Sequence, residues 1–170
     1  MAKSGRVRVK SAAGNIGRII VTRLLSGTDL IEGIEDTCNC YNIKAAVVTC
    51  AIGSLKKNSF RYIVPKSELK VGAGYDEPPH IPGPVELIGA SGIVTEIDEN
   101  TINVHLHGAI CDKNGIIHGG HFDKGENLAL YTIEVVIKEI VNVKMLRKYD
   151  EEVDTNQLFP VALNTTETAE

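Results

Sequence analysis

Apolar residues recur along the chain in two rhythms, one of period two and one of three to four. Residues 17–24 (Gly-Arg-Ile-Ile-Val-Thr-Arg-Leu) are β-branched and alternate near their end, which predicts a strand. Ser26-Gly27-Thr28 breaks it. Leu30, Ile31, Ile34 and Cys38 then recur at three- and four-residue steps, predicting an amphipathic helix over residues 29–41. Thr28 or Asp29 can cap its start, with Glu32 placed for a capping box, and Asn42 can close it in the left-handed conformation. Residues 43–52 form a nearly unbroken apolar run, the pattern of a buried central strand. Gly53-Ser54 turns the chain and residues 59–64 form a further strand. Pro65, Pro78, Pro79, Pro82 and Pro84, interleaved with Gly72, Gly74 and Gly83, predict a long loop over 65–84.

The second half is almost all period two. Residues 86–97 read as a strand interrupted at Gly89–Gly92 by a bulge or tight bend. After a turn at 98–100, residues 101–112 form a strand, Lys113-Asn114-Gly115 a hairpin turn, and 116–118 the start of the return strand. Residues 127–140 alternate and are too β-branched to favour a helix, and 143–148 continue or close the sheet. The expected class is α+β: a strongly bent, mostly antiparallel sheet of about seven strands with one or two helices.

Composition narrows the partners. Of 170 residues, 43 % are hydrophobic and 24 % charged, as in a globular domain rather than a disordered chain. No apolar run is long enough to cross a bilayer, and the opening Met1–Gly5 is not a signal-peptide core, so an intracellular, cytoplasmic protein is expected. The net charge of −4 opposes broad gripping of duplex phosphates, and three Phe, five Tyr and no Trp give few base-stacking platforms. Charge is also segregated. Residues 1–28 carry Lys3, Arg6, Arg8, Lys10, Arg18 and Arg23 with no acid; residues 149–170 carry six acids with no base. The chain divides into a basic segment (1–16), a central domain (17–148) and an acidic tail (149–170), with 164–170 frayed. The two ends either pair or stay solvated. Arg6, Arg8 and Lys10 are the candidate phosphate contacts. Cys38, Cys40, Cys50 and Cys111 are expected as free thiols, because i and i+2 on a helix do not share a face for a Cys38–Cys40 metal pair.

Histidine is the distinctive signal. His105, His107, His118 and His121 fall within 17 residues. On a strand Ile102, Val104 and Leu106 enter the core, while His105 and His107 share the other face. Two imidazoles so spaced can converge on one metal ion. The third ligand depends on the hairpin. A four-residue loop puts His118 on that face, diagonal to His107; a two-residue loop keeps the face but slides it opposite Cys111; a three-residue loop turns it to the other face. His121, three residues on, is expected behind the ligands, as pocket lining, unless Gly119-Gly120 twists it back. Three neutral nitrogens leave one tetrahedral position open, as in catalytic zinc sites; zinc is the first choice, with nickel, cobalt or iron also suited to imidazole.

The stretches Arg23-Leu24-Leu25-Ser26-Gly27-Thr28-Asp29-Leu30, Ala51-Ile52-Gly53-Ser54-Leu55, Pro84-Val85-Glu86-Leu87-Ile88-Gly89-Ala90-Ser91-Gly92, His105-Leu106-His107 and Gly119-Gly120-His121 together resemble the plants-and-prokaryotes conserved (PPC) domain over residues 17–148. The resemblance implies an α+β domain assembled as a homotrimer, and a DNA-binding label taken from plant relatives with AT-hooks. Those hooks centre on Arg-Gly-Arg-Pro, which this chain lacks. The PPC fold is in turn similar to α-acetolactate decarboxylase, a zinc enzyme whose ligands follow His-x-His-x10-His, and His105, His107 and His118 have that spacing.

Three functions follow as expectations. One is a metal-binding homotrimer that binds or transforms a small molecule, as a metal-dependent lyase or hydrolase if it is an enzyme. There Glu86 would serve as general base or as a carboxylate behind the metal ligands, Arg23 as a carboxylate clamp and His80 as a lid residue of the Pro/Gly loop. The second is a DNA-associated regulator using the basic N-terminus, which the charge disfavours. The third is a non-catalytic oligomeric module.

Overall fold

The computed structural model describes residues 7–76 and 81–163. The expected class holds: one helix packs on a mostly antiparallel sheet. β1 (Asn15–Leu25) leads into α1 (Leu30–Cys40), followed by β2 (Ala46–Lys57), the short β3 (Phe60–Arg61), β4 (Ile63–Pro65) and β5 (Ala73–Tyr75). Then come β6 (Val85–Asp98), β7 (Thr101–Cys111), β8 (Ile117–Phe122), β9 (Leu128–Val141), β10 (Val143–Asp150) and β11 (Thr155–Ala162). The main sheet runs β1-β9-β2-β6-β7-β8-β3, with β10 joined to β6 in parallel and β11 to β10. β4, at the end of the strand expected over 59–64, pairs with β5, which lies inside the region expected as loop, in a separate two-stranded ribbon.

Alternation decides the faces. Ile20 and Leu24 of β1, Ala51 and Leu55 of β2, Leu87 of β6, Leu106 and Ile110 of β7 and Ile133, Val135 and Ile137 of β9 are buried with Leu30, Ile31, Ile34 and Cys38 of α1 in one core. Asp29 sets the helix in place. Its Oδ1 accepts the N–H groups of Ile31 and Glu32, both at 3.0 Å, and its Oδ2 accepts that of Asn127 at 2.8 Å. Asn42 closes the helix end at φ 53. The burial of Cys38 pushes its thiol up to about 12, and all four cysteines are free.

On the opposite face among the described residues no helix lies, and Ile19, Val21 and Leu25 of β1, Ile52 of β2 and Ile88 of β6 are exposed. β1 is tied to its neighbour by Arg18, which donates from Nε and Nη2 to Glu139 at 2.8 Å each and holds that carboxyl down at about 2. Among the described residues the basic and acidic segments pair with each other. Arg8 donates to both Glu152 oxygens at 2.6 and 2.7 Å, and Lys10 reaches Asp150 at 3.4 Å. Much of the expected acidic tail is therefore structured, as β11. The frayed end expected at 164–170 lies outside the described residues.

The β7–β8 turn takes a three-residue loop, Lys113–Gly115. Asp112 N donates to Ile116 O and Gly115 N to Asp112 O, both at 3.0 Å, with Gly115 at φ 79. Asp112 Oδ1 locks the turn by accepting from Asn114 N at 2.8 Å and Ile116 N at 2.9 Å. Gly115 has open space around its Cα, so a methyl there meets only the left-handed backbone penalty. Gly115→Ala is expected to lower unfolding stability by about 1 kcal/mol in chemical denaturation.

Candidate metal centre

The hairpin register assigns the histidines. With Asp112 opposite Ile116, pairing runs Ile110 to His118 and His107 to His121. His118 is thus turned to the face of Ile110, and its Nε2 lies 3.2 Å from Asp112 Oδ2. The Ile116 N–H first, then His118, hold the Asp112 carboxyl below its ordinary value. The expected third ligand is therefore a clip on the hairpin. His121, expected as pocket lining, is the histidine that parity brings beside His105 and His107. Pairing stays regular through Gly119 and Gly120, so these residues do not twist the strand. Their role is close approach: a Cβ on Gly119 would stand 2.3 Å from Gly108 O, and one on Gly120 2.3 Å from Arg61 O.

His105, His107 and His121 each present a ring nitrogen within 4.8 Å of the others'. His105 Nε2 and His107 Nε2 are 3.0 Å apart, and His121 Nδ1 is 3.4 Å from His107 Nε2. Three convergent imidazoles could hold a metal ion, and neutral nitrogen donors are what such an ion needs. Burial first, then Arg147 and the neighbouring His121 and His107, push His105 down to about 4. Burial, with His107 and Arg61, also lowers His121.

A cleft of about 450 Å³ opens beside the cluster, where β7 runs on past its last pair with β8. Ile31 and Glu35 of α1 line one side, and Arg147 of β10 with Thr155 and Asn156 of β11 another. Arg147 Nη1 lies 3.3 Å from His105 Nδ1. Tyr75 packs on His121 with ring centroids 5.2 Å apart, and Arg61 sits 5.1 Å over the Tyr75 ring. The cleft's acids are engaged: Asp123 accepts from Arg61 at 2.7 Å and Ser59 at 3.2 Å, and Glu35 from Lys124 at 2.6 Å.

Neither expected catalytic residue lines this cleft. Glu86 is exposed and pairs with Cys111, four residues along β7 from His107, roughly 13 Å away along the strand. Arg23 is exposed on β1 opposite Glu134, four strand spacings from β7, roughly 19 Å across the sheet. His80 and Arg6 lie outside the described residues. Arg8 and Lys10, candidate phosphate contacts, are the residues that hold Glu152 and Asp150. Sequence reasoning missed Arg147 and Tyr75, which arrive from strands far along the chain and carry no motif.

The model of the Plants and Prokaryotes Conserved (PCC) domain matches residues 11–141. A metal-containing protein from Archaeoglobus fulgidus superimposes with a TM-score of 0.72 at 23 % identity, over 89 % of this chain and 99 % of that one. A plant- and prokaryote-conserved protein from Pyrococcus horikoshii gives 0.70 at 24 %, over 88 % and 97 %. A protein from Bacteroides thetaiotaomicron described as a putative DNA-binding protein gives 0.68 at 15 %, over 85 % and 96 %. At these identities the likeness is one of fold. No curated protein matches the chain.

Because folded His105 holds its proton less tightly than an unfolded histidine of pKa 6.5, the unfolded chain takes up the proton first. The metal-free protein should lose stability as pH falls from 6.5 towards about 4, and denaturant midpoints across that range check it. A His105→Gln variant should show a shallower decline.

Proposed function

We propose that this chain, which belongs to the plants and prokaryotes conserved domain family, is a metal-binding homotrimer whose cleft holds a small molecule at a His105–His107–His121 centre. The observation that carries the reading is the convergence of three imidazoles beside a cleft of about 450 Å³, within the usual range for small-molecule sites. The donor set fits a borderline cation that prefers nitrogen ligands, zinc first. Such an ion would supply Lewis-acid polarisation to an oxygen of a bound ligand. The residues of the chain do the rest. His105 stays neutral well below pH 7 and keeps its nitrogen open to the cation. Tyr75 packs against His121 and limits the motion of that ring. Asp123 holds Arg61 over Tyr75, and Arg147 gives the cleft a positive wall.

The trimer reading is supported by the helix-free sheet face, where Val21 at 76 % and Ile88 at 51 % exposure call for a covering that a second and third copy would give. Sedimentation at three times the chain mass would bear it out. The four free thiols suit a reducing compartment such as the cytoplasm, and among the described residues no helix is long and apolar enough to cross a membrane.

Zinc titration with a competing chelator tests the centre. Wild-type protein should bind about one ion per chain. His121→Ala and His105→Ala should weaken binding by more than the about 10- to 100-fold that loss of an outer partner costs. His118→Ala should retain binding; loss in His118→Ala with retention in His121→Ala would overturn the assignment.

The DNA-binding description of the Bacteroides relative points to a different readout. Arg8 and Lys10 are neutralised by Glu152 and Asp150, so duplex DNA should not be retarded at about 50 mM salt, where phosphate contacts hold strongly. Retardation that fades steeply with added salt would favour the nucleic-acid role.

A further inference from the structure

We infer that the cleft is a carboxylate site that cation binding creates: a small organic carboxylate lodges between the Nδ1–H of His105 and the guanidinium of Arg147. The inference rests on the metal reading above and adds the ligand's chemical class. It begins with the two nitrogens of one ring. His105 Nε2 faces the cluster, 3.0 Å from His107 Nε2. His105 Nδ1 faces Arg147 Nη1 at 3.3 Å. In the metal-free protein that contact works as a hydrogen bond only if Nδ1 is the acceptor, with the imidazole proton on Nε2.

A cation on Nε2 takes the lone pair there, and the proton must sit on Nδ1. Two donors then face each other, because a guanidinium has no acceptor. A metal-bound histidine ordinarily gives this N–H to a carboxylate, a carbonyl or water. In this chain the neighbour is a cation instead. Among the described residues no carboxylate lies within ion-pair distance of Arg147, and the two acids of the cleft hold Arg61 and Lys124. Among the described residues no carboxylate is placed to be that acceptor, and a ligand entering the cleft can supply it. Arg147 is a long side chain beside open volume, so it can swing aside and receive one oxygen of a carboxylate while His105 Nδ1–H receives the other.

Charge and shape favour a carboxylate. With the cation in place, its charge and that of Arg147 are uncompensated, while the other two cationic side chains are offset. The planar guanidinium fork matches a carboxylate. Tyr75, Asn103, Thr155 and Asn156 add uncharged polar lining for the body of a small organic acid. Phosphate shares the charge and the fork, but among the described residues the helix N-terminus that could add N–H donors for it is closed by its own Asp29.

The test is calorimetric and needs no turnover. Full-length protein, metal-free and zinc-loaded, is titrated with acetate and separately with inorganic phosphate in a buffer free of carboxylates. Acetate should bind the zinc-loaded protein at least about 10-fold more tightly than the metal-free protein, the scale of one charge-assisted hydrogen bond. Arg147→Ala should bind zinc within a few-fold of wild type, which shows that it folds and that the metal centre is intact, and should lose that acetate binding. Arg147→Lys keeps the charge without the fork and should recover only part of it. Failure of zinc to bind would sink the metal reading and this inference together. Zinc binding with acetate affinity unaffected by Arg147→Ala, or equal with and without zinc, would overturn this inference alone. So would a preference for phosphate.

Discussion

The site depends on the parity of one hairpin. Side chains alternate on a strand, so a shift of one residue in the β7–β8 pairing exchanges every residue of β8 between faces. Asp112 decides which register is taken. Its carboxylate accepts two N–H groups of the turn, its backbone pairs with Ile116, and Gly115 supplies the left-handed residue that a three-residue loop needs. His118 then meets Asp112 and braces the turn it follows, while His121 falls opposite His107. One register thus builds both the brace and the cluster of three imidazoles. The glycines before His121 let β8 sit tightly between β7 and β3 without altering that parity.

Period-two and helical patterns made most of the fold legible, because burial on one face leaves a direct mark on the sequence. Asp29 as helix cap, Asn42 as its closing residue and the outward pairing of His105 with His107 follow from local rules. The third histidine did not, since residues 112–116 admit loops of either parity and only the hydrogen bonds of Asp112 choose. β11 was hidden for another reason. Thr155-Asn156-Gln157 and Pro160 read as tail, and they form a strand because β10 offers an open edge on which a proline is tolerated. Arg147 could not be singled out at all: its meaning comes from a parallel contact between β10 and β6 that places a late strand beside an earlier one.

Segregated charge in the sequence invited a reading in terms of partners, and the fold gives it an internal use. The basic start lies along the acidic turn between β10 and β11, where Arg8 takes Glu152 and Lys10 takes Asp150 while resting 4.0 Å over the Phe159 ring. These contacts are exposed and individually weak. Their effect is to spend the basic residues locally, leaving less positive surface for a polyanion than the count along the sequence suggests.

The chemistry open to the cleft follows from what is and is not engaged. Proton transfer calls for a carboxylate or imidazole free to change its charge. Here Asp123 and Glu35 are held by Arg61 and Lys124, and the three clustered imidazoles face one another. The expected base, Glu86, stands on another part of the sheet. What the cleft does offer is a nitrogen-lined place for a cation and, beside it, a guanidinium without an acid among the described residues. An arrangement of that kind is better suited to gripping an oxygen-rich anion than to shuttling protons. Among the described residues the cleft thus sets a cluster of imidazoles and a guanidinium side by side, and each acid that lines it is already engaged by a basic side chain.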